Sequence, residues 1–343
     1  MDKKQDTIYA LSTPPGKSAI AVVRISGNKA FNYIKKISSS MPTKANISTL
    51  NKLITRTGDV IDQTITTYYK APKSYTGEDM VEISMHGGSA TINKFIDIFK
   101  KNKKTRLAEP GEFTRRSFEN NKLDLTQVEA IADLVNAETE YQRKQAYSQL
   151  EGKLTLKTKE IYNELKNTLA NIEAIIDFTD EELPKKLLNN TKEQIENISD
   201  NIESILNNNN KGRKIREGFV VGIIGNTNTG KSSFINNVSN QEIAIVSNKP
   251  GTTRDAIESY IDIMGLPVRF YDTAGIRKHR NAIEKKGIIK SKEISKDSDL
   301  NLVFINNISE INDFKCCGFD LAYNLWSIRS VSCETTHGDY KYI

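Results

Sequence analysis

The segment Gly225-Asn226-Thr227-Asn228-Thr229-Gly230-Lys231-Ser232 limits what this chain can fold into more than any other. It fits G-x-x-x-x-G-K-[ST], follows an apolar run over residues 218–225 and opens a helical pattern over residues 231–238. In that strand–loop–helix context the glycines let the backbone wrap phosphates. The loop N–H groups and the helix N-terminus supply the positive potential. The motif assigns Lys231 to the β- and γ-phosphates and the Ser232 hydroxyl to Mg²⁺. The alternative is a glycine-rich turn that holds no ligand.

Two later segments bear on that choice. Asp272-Thr273-Ala274-Gly275 closes an apolar strand, and an Asp there can reach Mg²⁺ through water while the Gly275 N–H faces the γ-phosphate. Read alone, D-x-x-G is equally explained by a helix-capping Asp. Gly251-Thr252-Thr253-Arg254-Asp255 lies between the two motifs, and a Thr there can complete the Mg²⁺ shell and close over the γ-phosphate. Alone it could be a polar loop, but the three in this order have GTPase spacing.

The rest of the chain divides by pattern. Residues 1–118 mix short apolar strands (18–25, 60–69, 80–85) with turn residues and one helical stretch, 90–99, so they read as an α+β domain. Residues 119–215 carry three amphipathic stripes, among them Ile161, Leu165, Leu169 and Ile172, then Ile195, Ile198, Ile202 and Ile205. Asn207 to Asn210 with Lys211-Gly212 reads as a linker. Residues 216–343 return to α/β alternation, with two strands expected across a Gly265-Leu266-Pro267 turn and a further buried strand over 299–305. The chain is thus multidomain, α+β followed by helical and then α/β.

Composition excludes several classes. No stretch approaches the ~20 apolar residues a membrane span needs, and the polar N-terminus leads into no secretory h-region. Three clustered cysteines, Cys316, Cys317 and Cys333, give no disulfide framework and point to a reducing cytoplasm. The net charge of +6 is compatible with a nucleic-acid partner, but most of the excess is lysine, whose default place is a solvated surface. His86, before Gly87-Gly88, reads as part of a strand-ending turn rather than as a base, and His279 and His337 as surface residues.

Gly251-Thr252-Thr253-Arg254-Asp255 followed by Asp272-Thr273-Ala274-Gly275-Ile276-Arg277 resembles the bacterial tRNA-modification GTPase family MnmE (TrmE). Thr13-Pro14-Pro15-Gly16, Tyr75-Thr76-Gly77-Glu78-Asp79, Pro110-Gly111-Glu112-Phe113-Thr114 and Lys122-Leu123-Asp124-Leu125 are similar to the same family, and the likeness covers roughly residues 5–305. It implies an N-terminal folate-binding-like domain that dimerises, a helical domain, and an inserted Ras-like P-loop GTPase domain. It also implies a cytoplasmic homodimer that works with a flavoprotein, MnmG, on the wobble uridine of tRNA. The expected ligands are GTP, Mg²⁺, K⁺ and a 5-formyl-tetrahydrofolate-type carrier.

The same resemblance places the folate contacts on Arg24, Glu82 and Lys122. The GTP contacts fall on Asn228, Thr229, Gly230, Lys231, Ser232 and Ser233, on Ser247, Asn248, Lys249, Pro250, Gly251, Thr252 and Thr253, and on Asp272, Thr273, Ala274 and Gly275. Ser232 and Thr253 would hold Mg²⁺. Asn228, Ser247, Thr252 and the Lys249 carbonyl would hold K⁺, where other GTPases place an arginine finger. Glu284 would orient the attacking water. Thr227 and Thr229 replace the family's usual Pro and Ala.

The family's N-K-x-D, whose Asp reads guanine, is not found after residue 305, nor are its second helical half and terminal C-x-G-K. Asn248-Lys249-Pro250-Gly251 lacks the Asp, and Ser332-Cys333-Glu334 is only a faint echo of the S-A-[KR] loop. The expectation is therefore a C-terminally truncated member with an incomplete GTPase domain and an atypical tail over 306–343. The second reading is a folate-binding dimerisation module with an inactive nucleotide domain. An Era- or EngA-like GTPase fails on the N-terminal domain.

Overall fold

A computed structural model describes residues 6–102, 104–177, 185–225, 229–241, 258–272, 298–305 and 307. The chain splits into two compact units, Met1–Ile131 with Leu150–Gly152, and Ala132–Gln149 with Lys153–Ile343.

The first unit begins with β1 (Thr7–Leu11), β2 (Ser18–Ser26), α1 (Ala30–Lys35), β3 (Ser48–Ile54), β4 (Val60–Tyr69) and β5 (Met80–Gly87). It continues through α2 (Ser89–Lys100), β6 (Thr105–Leu107) and α3 (Glu112–Glu119) into α4 (Leu125–Asn136), whose residues from Ala132 on are counted in the second unit. Its strands form one sheet, ordered β3-β4-β5-β2-β1-β6, in which only the β1–β6 pair is parallel. The pleat sorts β2 by alternation: Ala21, Val23 and Ile25 are buried, whereas Val22 and Arg24 are on the other face and half-exposed. α1 and α2 cover the buried face. Ile92, Phe95 and Phe99 recur at helical spacing on α2, and Ile34 is the matching residue on α1. Each such side chain contributes about 1.5–3 kcal/mol by leaving water. Asp124 starts α4 through a reciprocal cap: its carboxylate accepts from Gln127 N at 2.8 Å, and its own N–H donates to Gln127 Oε1 at 3.0 Å.

A buried charge cluster ties α3 to the rest of this unit. Glu112, 2% exposed, accepts from Arg106 Nη2 at 2.6 Å, Arg106 Nη1 at 2.8 Å, Arg116 Nη2 at 3.1 Å and Glu109 N at 2.8 Å. Arg116 also donates to Glu78 at 2.9 Å and to the Asp6 carbonyl at 2.9 Å. Burial alone would push the Glu112 carboxyl up. The bonds from Arg106, Glu109 and Arg116 outweigh it and hold the carboxyl at about 2.

In the second unit α5 (Glu140–Leu150) opens on a similar cap, with Thr139 Oγ1 accepting from Gln142 N and Gln142 Oε1 accepting from Thr139 N. α6 (Lys153–Asp177) and α7 (Lys185–Glu217) pack side by side. Their apolar stripe is only partly covered among the described residues: Ile198 is buried, but Leu169 is 54% and Ile176 63% exposed. The linker expected at 207–212 is instead helical, because α7 runs through it. Tertiary bonds hold this weak helix-forming stretch: the Gly212 carbonyl accepts from Gln145 Nε2 at 3.0 Å, Lys214 pairs with Asp299 at 2.6 Å and Arg216 with Asp133 at 2.9 Å.

β7 (Phe219–Gly225), α8 (Lys231–Gln241), β8 (Glu258–Ile263), β9 (Leu266–Asp272) and β10 (Leu300–Phe304) complete the described elements. The sheet runs β10-β7-β9-β8, with β10, β7 and β9 parallel and β8 antiparallel to β9. The β8–β9 turn is Met264-Gly265, both at positive φ (52° and 89°), not Gly265-Leu266-Pro267. Leu266 and Pro267 already pair with Ile263 and Asp262. Pro267 is tolerated because it stands at the strand's start. β10, expected to be buried, is half-buried, with Leu300 exposed. No helix among the described residues is long and apolar enough to cross a membrane.

Candidate functional site

Two constellations carry chemistry, one in each unit. In the second unit β7 leads into the glycine-rich loop at Gly225, where φ is 151° and a Cβ would run into the Phe304 carbonyl of β10. Glycine is therefore required there by both backbone conformation and close packing. Gly230, at φ 88°, closes the loop into α8, and a Cβ there would meet open space. Lys231 begins α8 and is 4% exposed. Its Nζ donates to the Gly225 carbonyl at 2.8 Å and to Thr229 Oγ1 at 3.3 Å, so the ammonium stands over the loop it follows.

Ser232 and Ser233 are exposed on the first turn of α8, and Thr229 is half-buried. Parallel pairing sets Asp272 opposite Ile223, so β9 ends beside the strand that delivers the loop. Phe234 of α8 meets Phe270 of β9 edge-on at 6.2 Å and Phe304 of β10 at 5.3 Å, which seats the helix on the sheet. This arrangement offers backbone donors, a helix N-terminus and an ammonium to an anion. Asn226 to Asn228, residues 247–253 and 273–275, Glu284, and His279, His337 and Ser332 to Glu334 lie outside the described residues.

In the first unit the register pairs Arg24 of β2 with Glu82 of β5 on the sheet face not covered by α1 and α2. Arg24 Nη2 meets Glu82 Oε1 at 2.7 Å and Nε meets the same oxygen at 2.8 Å. The guanidinium is over two rings, 4.9 Å from the Tyr75 centroid and 5.6 Å from that of Phe113. Tyr69 donates its hydroxyl to Glu82 Oε2 at 3.3 Å. Burial first and the nearby Glu82 carboxylate second push that phenol's pKa up. The ion pair leaves the carboxylate able to accept further bonds and the guanidinium rigidly aimed, a fit for a ligand with both donors and carboxylates.

Lys122 follows α3, with its N–H bonded to the Ser117 carbonyl at 2.8 Å. It is exposed, and no ion pair joins it to Glu82 among the described residues. Of the three expected folate contacts the structure thus joins two. Tyr69, Tyr75 and Phe113 around Arg24 were missed, although Tyr75 and Phe113 each stand in a motif already singled out.

His86 is within β5 rather than in a turn, with Nδ1 held by Asp62 Oδ1 at 2.7 Å. Burial raises the Asp62 carboxyl pKa. The bonds from the His86 backbone and ring and from Gln63 more than offset this and leave it below the usual carboxylate range.

Comparison with known proteins adds to this geometry. Residues 7–122 match the family model described as GTP-binding protein TrmE N-terminus, and residues 125–335 match the one described as MnmE helical domain. The chain is similar to the tRNA modification GTPase MnmE of Pelagibacter ubique (strain HTCC1062), 45% identical over 310 residues, 90% of this chain and 70% of that protein. The protein of the same name from Aquifex aeolicus (strain VF5) is 40% identical over 90% of this chain and 69% of its own length. That of Bacillus pumilus (strain SAFR-032) is 38% identical over the same shares.

Proposed function

The chain belongs to the MnmE family of tRNA modification GTPases, and from that membership we propose that it hydrolyses GTP at the 225–232 loop in the service of tRNA wobble-uridine modification. The observation that carries the reading is Lys231, buried at the strand–helix junction with its ammonium over the loop. The parallel β10-β7-β9 core with antiparallel β8 supports a Ras-like P-loop domain. Lys231 binds the β- and γ-phosphate oxygens, and loop N–H groups orient them. Ser232, exposed at the start of α8, fits a magnesium ligand, with Thr253 completing the set. Asn228, Ser247, Thr252 and the Lys249 carbonyl hold potassium. Magnesium and potassium held there would supply neutralisation of the charge that develops on the phosphates. Glu284 orients the attacking water.

In the N-terminal domain, residues 1–118, Arg24 and Glu82 bind a 5-formyl-tetrahydrofolate-type carrier. The guanidinium faces its carboxylate chemistry and the carboxylate its pterin donors. Lys122 adds a cation from outside the ion pair. The protein acts in the cytoplasm as a homodimer joined through this domain, together with an MnmG-type flavoprotein. Phosphate release from GTP is the test, in potassium against sodium chloride with Mg²⁺ present. Faster release in potassium is expected. No release above the protein-free blank in either salt sinks the GTPase reading; if 5-formyl-tetrahydrofolate still binds and Arg24→Ala abolishes it, the chain is a folate-binding dimerisation module.

A further inference from the structure

The positive charge of this chain is concentrated in two segments of the first unit. Residues 27–48, which include α1, hold Lys29, Lys35, Lys36 and Lys44 and no acidic residue. Residues 88–104, which include α2, hold Lys94, Lys100, Lys101, Lys103 and Lys104 against the single Asp97. The remainder of residues 6–122 is nearly balanced, with ten basic and nine acidic side chains. The excess of eight in these two segments exceeds the +6 of the whole chain, so everything else sums to a net negative charge.

The fold turns two distant segments into one surface. α1 and α2 cover the same face of the sheet, since Ala30 and Ile34 share a core with Ile92, Phe95 and Phe99. Their outward sides form a single layer, and every lysine of α1, α2 and their flanks that the structure describes is exposed. The one carboxylate, Asp97, is 4.0 Å from Lys100 and itself solvent-exposed, too weak a pair to cancel the field. Asn28, Asn32 and Asn93 are exposed among the lysines and add neutral donors and acceptors.

We propose that this helical layer is the surface on which the chain takes the sugar–phosphate backbone of tRNA. The proposal rests on the tRNA reading above. A polyanion is the partner such a layer fits: lysines release condensed counterions and amide side chains bond phosphate and 2′-hydroxyl oxygens. A membrane surface fits less well. A membrane-lying helix spends its apolar face on lipid, and here the apolar faces of both helices are spent on the protein core. The opposite sheet face, with Arg24 and Glu82, stays free for its own ligand.

The test compares the unsubstituted full chain with Lys35→Gln/Lys36→Gln/Lys100→Gln/Lys101→Gln and with Lys17→Gln/Lys52→Gln/Lys70→Gln/Lys73→Gln. The second variant removes the same charge from elsewhere on the domain. Binding of unmodified tRNA is followed by fluorescence anisotropy across a salt series, with thermal melting to confirm that both variants fold. The layer variant should lose roughly tenfold or more in affinity, and its log K against log salt should flatten by about 1 for each lysine that met a phosphate. The control variant should stay near the unsubstituted chain.

Equal losses in both variants, or none in either, overturn the proposal. So does a layer variant that keeps tRNA but releases equimolar phosphatidylcholine–phosphatidylserine vesicles. An unsubstituted chain that does not retain tRNA overturns it as well, while GTP hydrolysis and folate binding judge the function reading separately.

Discussion

Replacing Glu112 by Gln should remove about 3 kcal/mol from the stability of the first unit at neutral pH. Two routes give that figure. Breaking one partner out of a buried ion pair costs about 3–5 kcal/mol, because the remaining charges lose their compensation. Here Arg106 and Arg116, the latter only 4% exposed, each lose one carboxylate but keep Asp6 and Glu78 as partners, which puts the cost at the low end of that range. The second route is linkage. The carboxyl is held at about 2 against an ordinary 4.5, and at ~1.4 kcal/mol per tenfold change in proton affinity this is again about 3 kcal/mol.

Since the folded carboxyl titrates below its unfolded value, the contribution is complete above about pH 4.5 and disappears as pH falls toward about 2. The gap between parent and variant should therefore close over that acid window, where the parent's own carboxyl takes up a proton. Urea unfolding with hydrogen exchange read on peptides covering β1, β6 and α3 isolates this unit, which matters because a chain of two units need not unfold in one step. A loss under about 1 kcal/mol at pH 7, or a gap that stays constant down to pH 2.5, refutes the reasoning.

Lys231→Ala should weaken guanine-nucleotide binding by roughly ten- to a hundredfold, the range for charge-assisted bonds, while leaving the melting temperature of the first unit unchanged; titration calorimetry with GDP and Mg²⁺ reads the affinity and a thermal scan reads the melting temperature. Gly265→Ala should destabilise the β8–β9 hairpin by about 1–3 kcal/mol. The added methyl would sit 2.9 Å from the Tyr141 ring at a φ of 89°, and faster amide exchange in β8 and β9 is the expected sign.

Local pattern carried the elements and failed where tertiary contacts decide. The strands β2, β4 and β5 and the helix α2 were legible because alternation and helical spacing each match one buried face. The turn at Met264-Gly265 was misplaced by one residue because Pro267 looks like turn chemistry, whereas a strand's first positions accept it. The asparagine run before Gly212 looked like a linker, but α7 runs through it and is held just beyond it by contacts from Gln145, Asp133 and Asp299.

At the site, the run from Gly225 to Ser232 was readable as a contiguous motif. The Arg24–Glu82 pairing was not, because it is a matter of strand register across residues 58 apart. The basic layer was invisible for a related reason. Its lysines belong to two segments that only the shared core brings together, and along the sequence they look like ordinary solvated charge.

α7 is one unbroken helix of 33 residues, about 50 Å long at 1.5 Å per residue. It joins the strand that feeds the phosphate loop through a single residue, Gly218, whose φ of 94° lets the chain change direction sharply. Mechanically this is a rod fixed close to its pivot. Each degree of rotation about Gly218 sweeps the far end, at Lys185, through roughly 0.9 Å, given that length. A tilt of about four degrees would displace the far end of α7 by more than the diameter of a water molecule.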